Sequence, residues 1–253
     1  MYGWRGRVGI ISPARGDTSL YEFYKVVPEG IIAVPTSLGV QRLTSEQLSA
    51  VLDRYEDAVK DLVYEECDVI ALSGTPPVTS GVPGTEEMLL ERARRHTSVP
   101  VFTGVQAEVE GIRAVGGHRI AVGSPYTADL NEKWKRYFAG KGFDVVAVEG
   151  VGLEKNVELA QLPTYTSYRV ARALYEKYPD VDAIHLTCPR WATIVNLARL
   201  EQDLGIPVTS SSQAQIYGSL SRLRVRDRIS GFGSLLELLA TAGGRSAPAH
   251  APH

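Results

Sequence analysis

The chain has 253 residues, of which 44% are hydrophobic and 22% charged, so it can bury a substantial core without disulfides or metals and is not a disordered chain. Lys and Arg number 27 against 29 Asp and Glu, a formal charge of -2 with no basic cluster, which excludes a dedicated nucleic-acid binder. No apolar run approaches the roughly 18 residues of a membrane span, and the opening MYGWRGRVGIIS runs straight into a strand-like stretch, so no membrane partner and a soluble, cytoplasmic protein are expected.

Short runs rich in Val and Ile recur along the chain: Val8 to Ile11, Ile31 to Val34, Val69 to Leu72, Val99 to Phe102, Ile120 to Val122, Val145 to Val148, Ala183 to Leu186 and Ile206 to Val208. They read as buried parallel strands. Between the second and third, Ser45 to Glu65 carries Leu48, Val51, Leu52, Tyr55, Val59 and Leu62 at spacings of three and four, which predicts a helix. Thr44 followed by Gln47 suggests a capping box at its start, and Thr85 with Glu86 and Glu87 marks a second helix N-terminus. The fold class is therefore α/β, with helices on both faces of each sheet. Cys67 and Cys188 cannot make a zinc site alone, and the five histidines show no ligand spacing, so neither a structural metal nor a metal cofactor is expected.

The sequence realigns on itself. Val8 to Pro13 matches Ile120 to Pro125, Asp68 to Pro77 matches Asp182 to Trp191, and Ser98 to Ala107 matches Gly205 to Ala214, in the same order and with both of the last pair ending in Gln-Ala. Two copies of one βα unit explain this better than the general likeness of parallel strands. The expected division is a first α/β repeat at 1–112, a second at 113–241, and a flexible tail rich in Gly, Pro and Ala at 242–253.

Ligands in open α/β sheets bind beyond the carboxyl ends of the strands. The segments at those positions are Ser12 to Gly16, Ser73 to Pro77, Ser124 to Tyr126 and Thr187 to Trp191, and a following helix N-terminus is expected to hold an anion such as a carboxylate. In the realignment Cys188 falls on Gly74, so a thiol stands where the first copy has no side chain. A thiol before a helix N-terminus is expected to have its pKa lowered from about 8.5 and to exchange protons near neutrality. Two facing thiols would make a racemase, whereas one thiol facing a glycine delivers a proton from one side, which suits decarboxylation. Thr75, through its hydroxyl and N–H, and Tyr126, through its phenol, are the natural carboxylate holders.

Other residues carry weaker signals. Arg15 and Arg190 could clamp a second carboxylate. His185 is expected to be a hydrogen-bonded core histidine, and Trp4, Trp134 and Trp191 to be packing residues. Ser210, Ser211 and Ser212 have no evident histidine and acid partners, so a serine hydrolase is not expected.

SGTPP, GSPYTADLNEKW, HLTCPRW and GIPVTSSSQA, in this order and spacing from about Val8 to Leu220, resemble the arylmalonate decarboxylase and maleate cis-trans isomerase branch of the aspartate/glutamate racemase superfamily. The resemblance implies two similar α/β domains related by a pseudo-twofold axis, with a cofactor-free active site in the cleft between them. Within that branch, isomerases and racemases carry a cysteine in each half, while the decarboxylases pair a glycine with a cysteine, as Gly74 and Cys188 do here. Carried over, the dioxyanion hole falls on Gly74, Thr75, Pro76 and Tyr126, the pocket wall on Pro13, and the proton donor to the enediolate on Cys188. Pro76 and Pro189 depart from the decarboxylase pattern, and each removes a backbone donor. The implied activity is cofactor-independent decarboxylation of α-substituted malonates. The alternative is a maleate isomerase or Asp/Glu-type racemase acting on a small dicarboxylate with one cysteine, and a third reading is a non-catalytic carboxylate-binding protein. A small carboxylate is the expected partner in each, and the sequence leaves the oligomeric state open.

Overall fold

A computed structural model describes residues 2–241. The expected tail, 242–253, lies outside the described residues. Eight strands form two parallel sheets: β1 (Gly6–Ser12), β2 (Ile31–Ser37), β3 (Val69–Leu72) and β4 (Val101–Thr103) make one, and β5 (Arg119–Tyr126), β6 (Asp144–Leu153), β7 (Ala183–Leu186) and β8 (Val208–Ser210) the other. Their orders are β2-β1-β3-β4 and β6-β5-β7-β8, the same topology twice. Every residue of β3 and β7 is buried, because helices cover both faces, and this is why these strands read as unbroken apolar runs rather than as alternation.

All eight expected strands are present, with two instructive shifts. The edge strands β4 and β8 begin at Val101 and Val208, two residues later than the apolar runs suggested. Pro100 and Pro207 immediately precede them; a proline has no N–H to give a ladder, and here each contributes only its carbonyl, to Ile70 N and Ile184 N. The predicted helix over Ser45 to Glu65 is two helices, Ser45–Ala50 and Arg54–Tyr64. Bonds from Leu52 N to Ser49 O, Arg54 N to Val51 O and Tyr55 N to Leu52 O tighten the chain between them. The expected apolar positions are buried all the same, Leu52 alone being only half-buried, and Tyr55 donates to Ser73 O at 2.8 Å. Thr44 accepts from Gln47 N, but Gln47 Oε1 takes Gln41 N and Arg42 N instead of closing the capping box.

The two units meet through equivalent helices. Gly104–Ala114 follows β4, Ser211–Arg222 follows β8, and the two pack on each other. Each carries the spacing Gln-Ala-x-x-x-Gly. A Cβ on Gly111 would stand 3.2 Å from Ala214 Cβ, and one on Gly218 would stand 3.5 Å from Ala107 Cβ. These reciprocal contacts place the pseudo-twofold axis between the helices, and the small residues permit the close approach. Residue 112, the expected end of the first repeat, lies within the first of these helices. Across the cleft, Leu43 N donates to Glu154 O at 3.0 Å and Asn156 Nδ2 to Val40 O at 3.2 Å, tying the loop after β2 to the segment after β6.

Candidate functional site

The carboxyl ends of β1, β3, β5 and β7 converge on one cavity of about 430 Å³, counting its open mouth. Pro13, Gly74, Pro76, Tyr126, Cys188 and Pro189 all line it, so residues from both copies contribute to one cavity. Leu43, Leu48 and Pro77 give it an apolar side, while Arg15, Asn156 and Arg190 give it a polar one. Thr75 is absent from the lining and stands behind it, 1% exposed.

Cys188 is 2% exposed, and its backbone has φ +99°, a region L-residues rarely occupy. Its N–H donates to Ser211 Oγ at 2.8 Å. The sequence places a helix N-terminus directly after this residue; the structure does not. The next helix is Ile194–Leu204, and its first N–H groups are already taken by a buried carboxyl: Glu22 Oε1 accepts from Thr193 N at 2.6 Å and Ile194 N at 2.9 Å. The expected lowering of the thiol pKa is therefore overturned. Burial pushes Cys188 up to about 11, with the Glu108 charge adding to it, although the Tyr126 hydroxyl and the backbone at Arg190 and Trp191 favour the thiolate. Across the neutral range the group is a thiol.

Thr75 and Tyr126 are both buried, but they face different partners. The Thr75 hydroxyl donates to Glu108 Oε1 at 2.7 Å, so its single hydrogen is committed. Although Thr75 precedes the short helix Pro76–Thr79, its side chain caps nothing. Its N–H makes no hydrogen bond among the described residues. Pro76 and Pro77 open that helix, so its first two positions offer no N–H at all. Burial, then the proximity of Cys188 and of Glu108, raise the Tyr126 phenol well above its ordinary value, so it remains a donor.

Glu108 is the residue that sequence reasoning missed. It comes from Gly104–Ala114 and is 1% exposed; besides Thr75, its Oε1 accepts from Ser211 Oγ at 2.6 Å, and its Oε2 lies 3.3 Å from Trp134 Nε1. His185 Nε2 stands 3.3 Å from the same Oε2, outside hydrogen-bond geometry, while His185 Nδ1 meets Thr209 Oγ1 at 2.9 Å. The available signal was a glutamate on the otherwise small and apolar face of a helix, one residue after the repeated Gln-Ala. Ser211 consequently does have an acid partner, contrary to the sequence expectation, and Trp134 donates to the carboxylate as well as stacking on Phe138 with ring centroids 3.6 Å apart.

Arg190 is held by Asp17 through two bonds of 3.0 Å, which neutralises it beside the cavity, whereas Arg15 is exposed at the mouth. Trp191 is buried as expected; Trp4 is 67% exposed and is not a core residue. Among the described residues no group of three or more His, Cys, Asp or Glu could hold a metal ion, and no helix is long and apolar enough to cross a membrane.

Residues 8–236 match the arylmalonate decarboxylase family. An arylmalonate decarboxylase from Bordetella bronchiseptica is 25% identical over 213 residues, 84% of this chain and 88% of that protein. A maleate isomerase from Geobacillus stearothermophilus is 23% identical over 244 residues, 91% of this chain and 96% of that protein. The solved structure of the maleate cis-trans isomerase from Nocardia farcinica bound to TRIS superposes with a TM-score of 0.85 at 25% identity, covering 93% of this chain and 99% of that one.

Proposed function

The chain belongs to the arylmalonate decarboxylase family, in the branch shared with the maleate isomerases, and from that premise we infer that it is a cofactor-independent carboxy-lyase acting on an α-substituted malonate. The observation that carries this reading is the pairing of one protonated thiol, Cys188, with a bare glycine, Gly74, in the lining of one cavity.

One carboxylate of the substrate is held by the Tyr126 phenol, which lines the cavity, backed by the unengaged Thr75 N–H behind the lining. The other leaves as CO2: its bond to the α-carbon breaks, and the electron pair passes into an enediolate on the carboxylate that stays. The apolar side of the cavity, at Leu43, Leu48 and Pro77, disfavours the charge of the departing group. The Cys188 S–H bond then breaks as the α-carbon takes the proton, from one face only, and the thiolate left behind recovers a proton from solvent. The product is a chiral monocarboxylate. Thr75 acts here through its backbone, since its hydroxyl is turned to Glu108.

A second reading, isomerisation of a small dicarboxylate with Cys188 as nucleophile, draws on Arg15 and Arg190, which border the cavity and could meet a second carboxylate. Incubation with phenylmalonate and measurement of released CO2 tests the first reading; conversion of maleate to fumarate tests the second. Release of CO2 that persists undiminished in Cys188→Ser would remove the thiol from the reaction.

A further inference from the structure

Glu108 ties the two halves of the site together through one oxygen. Its Oε1 accepts from Thr75, the neighbour of Gly74, and from Ser211, whose oxygen in turn accepts the Cys188 N–H at 2.8 Å. A hydroxyl has one hydrogen. Thr75 and Ser211 both give theirs to Glu108, so each is left to accept, as Ser211 does from the Cys188 N–H. Only a carboxylate accepts in this way from two hydroxyls and an indole at once without a proton of its own to place. Burial pushes Glu108 up, but the approach of His185 and the hydroxyls of Ser211 and Thr75 outweigh it and hold the carboxyl below its ordinary range.

The second copy provides an internal comparison. At the position equivalent to Glu108, one residue after the repeated Gln-Ala, it has Gln215, whose Oε1 accepts from Ser73 Oγ at 2.8 Å. A neutral amide therefore suffices to hold a strand-end hydroxyl in this fold. The charge at 108 does something more.

We propose that Glu108 is a positioning residue for the proton donor: its buried negative charge adds to the burial that favours the thiol form of Cys188, and its grip on Ser211 and Thr75 fixes how the hydroxyls around Cys188 donate. The inference rests on Cys188 acting as an acid, because a nearby anion opposes the thiolate that a nucleophile requires. The other titratable or charged groups around Cys188 are Tyr126 on β5, His185 on β7, Glu22 and Asp17 on the helix after β1, and Arg15 and Arg190 at the mouth. Asp17 and Arg190 cancel as a pair, and Glu22 is directed to Thr193 and Ile194. Glu108 is the anion linked to Cys188 through a single hydroxyl.

The test is the pH dependence of iodoacetamide alkylation at Cys188, read by peptide mass spectrometry so that Cys67 is scored apart, in the intact protein and in Glu108→Gln and Glu108→Asp. The wild-type midpoint should lie above the roughly 8.5 of free cysteine. In Glu108→Gln it should fall by about half a unit, since burial carries the larger share of the rise, making alkylation near neutrality about threefold faster, while Glu108→Asp should stay with the wild type. Equal midpoints in wild type and Glu108→Gln, or Asp behaving like Gln, would overturn the proposal. Should Glu108→Gln not fold, a wild-type midpoint at or below that of free cysteine overturns it alone. The readout needs no turnover, so absence of malonate decarboxylation would count against the assigned reaction and leave the alkylation result to judge Glu108 separately.

Discussion

Gly74 and Cys188 share a positive φ, +94° and +99°, just past the carboxyl ends of the equivalent strands β3 and β7. Glycine occupies this region freely, whereas a cysteine held there stores on the order of 1–3 kcal/mol. Cys188→Gly should therefore be more stable than Cys188→Ala by about 1 kcal/mol in urea unfolding, the reverse of the usual order for these residues. Both variants should lose decarboxylation by about a hundredfold or more, as expected for removal of a proton donor. Alanine more stable than glycine would mean that the turn carries no strain.

The same shared turn makes the symmetric substitution costly. A Cβ on Gly74 would lie 2.3 Å from Pro13 Cγ and 2.8 Å from Pro13 Cδ, but 3.7 Å from Pro13 Cβ. Gly74→Cys should destabilise by about 1–3 kcal/mol from overpacking alone, and Pro13→Ala, which deletes the two clashing carbons, should recover much of that loss. The two changes should be non-additive by about 1 kcal/mol or more in a double-mutant cycle. If the paired geometry holds, a racemising activity toward the monocarboxylate product should emerge in Gly74→Cys/Pro13→Ala and be weaker in Gly74→Cys, as read by chiral chromatography.

Glu22 joins the first unit to the second by filling the N-terminus of Ile194–Leu204. Glu22→Ala strands two buried N–H groups and should cost about 2–4 kcal/mol. Glu22→Gln keeps an acceptor and should cost less. Burial raises the Glu22 carboxyl above its ordinary range despite the donors at Ser212, Ile194 and Thr193, so the folded protein binds this proton more tightly than the unfolded chain. Its contribution is fully present below the unfolded value of about 4 and is lost as pH rises through the raised folded value. The stability advantage of wild type over Glu22→Gln should shrink over that rise, and urea midpoints at several pH values would show it; a constant gap would mean the carboxyl is not shifted.

Much of this was legible because parallel strands buried on both faces leave unbroken Val and Ile runs, and because duplication repeats its punctuation. Gly74, Tyr126 and Cys188 could be brought to one cavity by aligning the strand ends. Their hydrogen bonds could not. The direction of the Thr75 hydroxyl depends on Glu108, thirty-three residues on and in another element, and the environment of Cys188 depends on Glu22 having filled the helix end that the local sequence offered to a ligand. Such cross-element pairings leave no period in the sequence, and burial of a carboxylate is not announced by its neighbours. The one available trace was comparative: Glu108 in one copy against Gln215 in the other.

The pH profile of turnover separates the two readings of Cys188. As a proton donor it must be a thiol, so decarboxylation should hold across the neutral range and fall as pH rises through the thiol value of about 11. As a nucleophile it must be a thiolate, so isomerisation of maleate should climb with pH, about tenfold per unit, over the same interval. Tyr126, raised well beyond its ordinary value, stays a phenol throughout and does not add an alkaline limb of its own below that point. Glu108→Gln should move the alkaline limb of decarboxylation toward neutrality, since the charge that opposes the thiolate is then gone. Cys188→Ser should lose about 10²–10⁴ in rate without acquiring a new limb, because a serine hydroxyl neither ionises in this range nor replaces a thiol as an acid. A decarboxylation rate that instead rises steadily toward alkaline pH would assign the work to the thiolate and exclude the donor role.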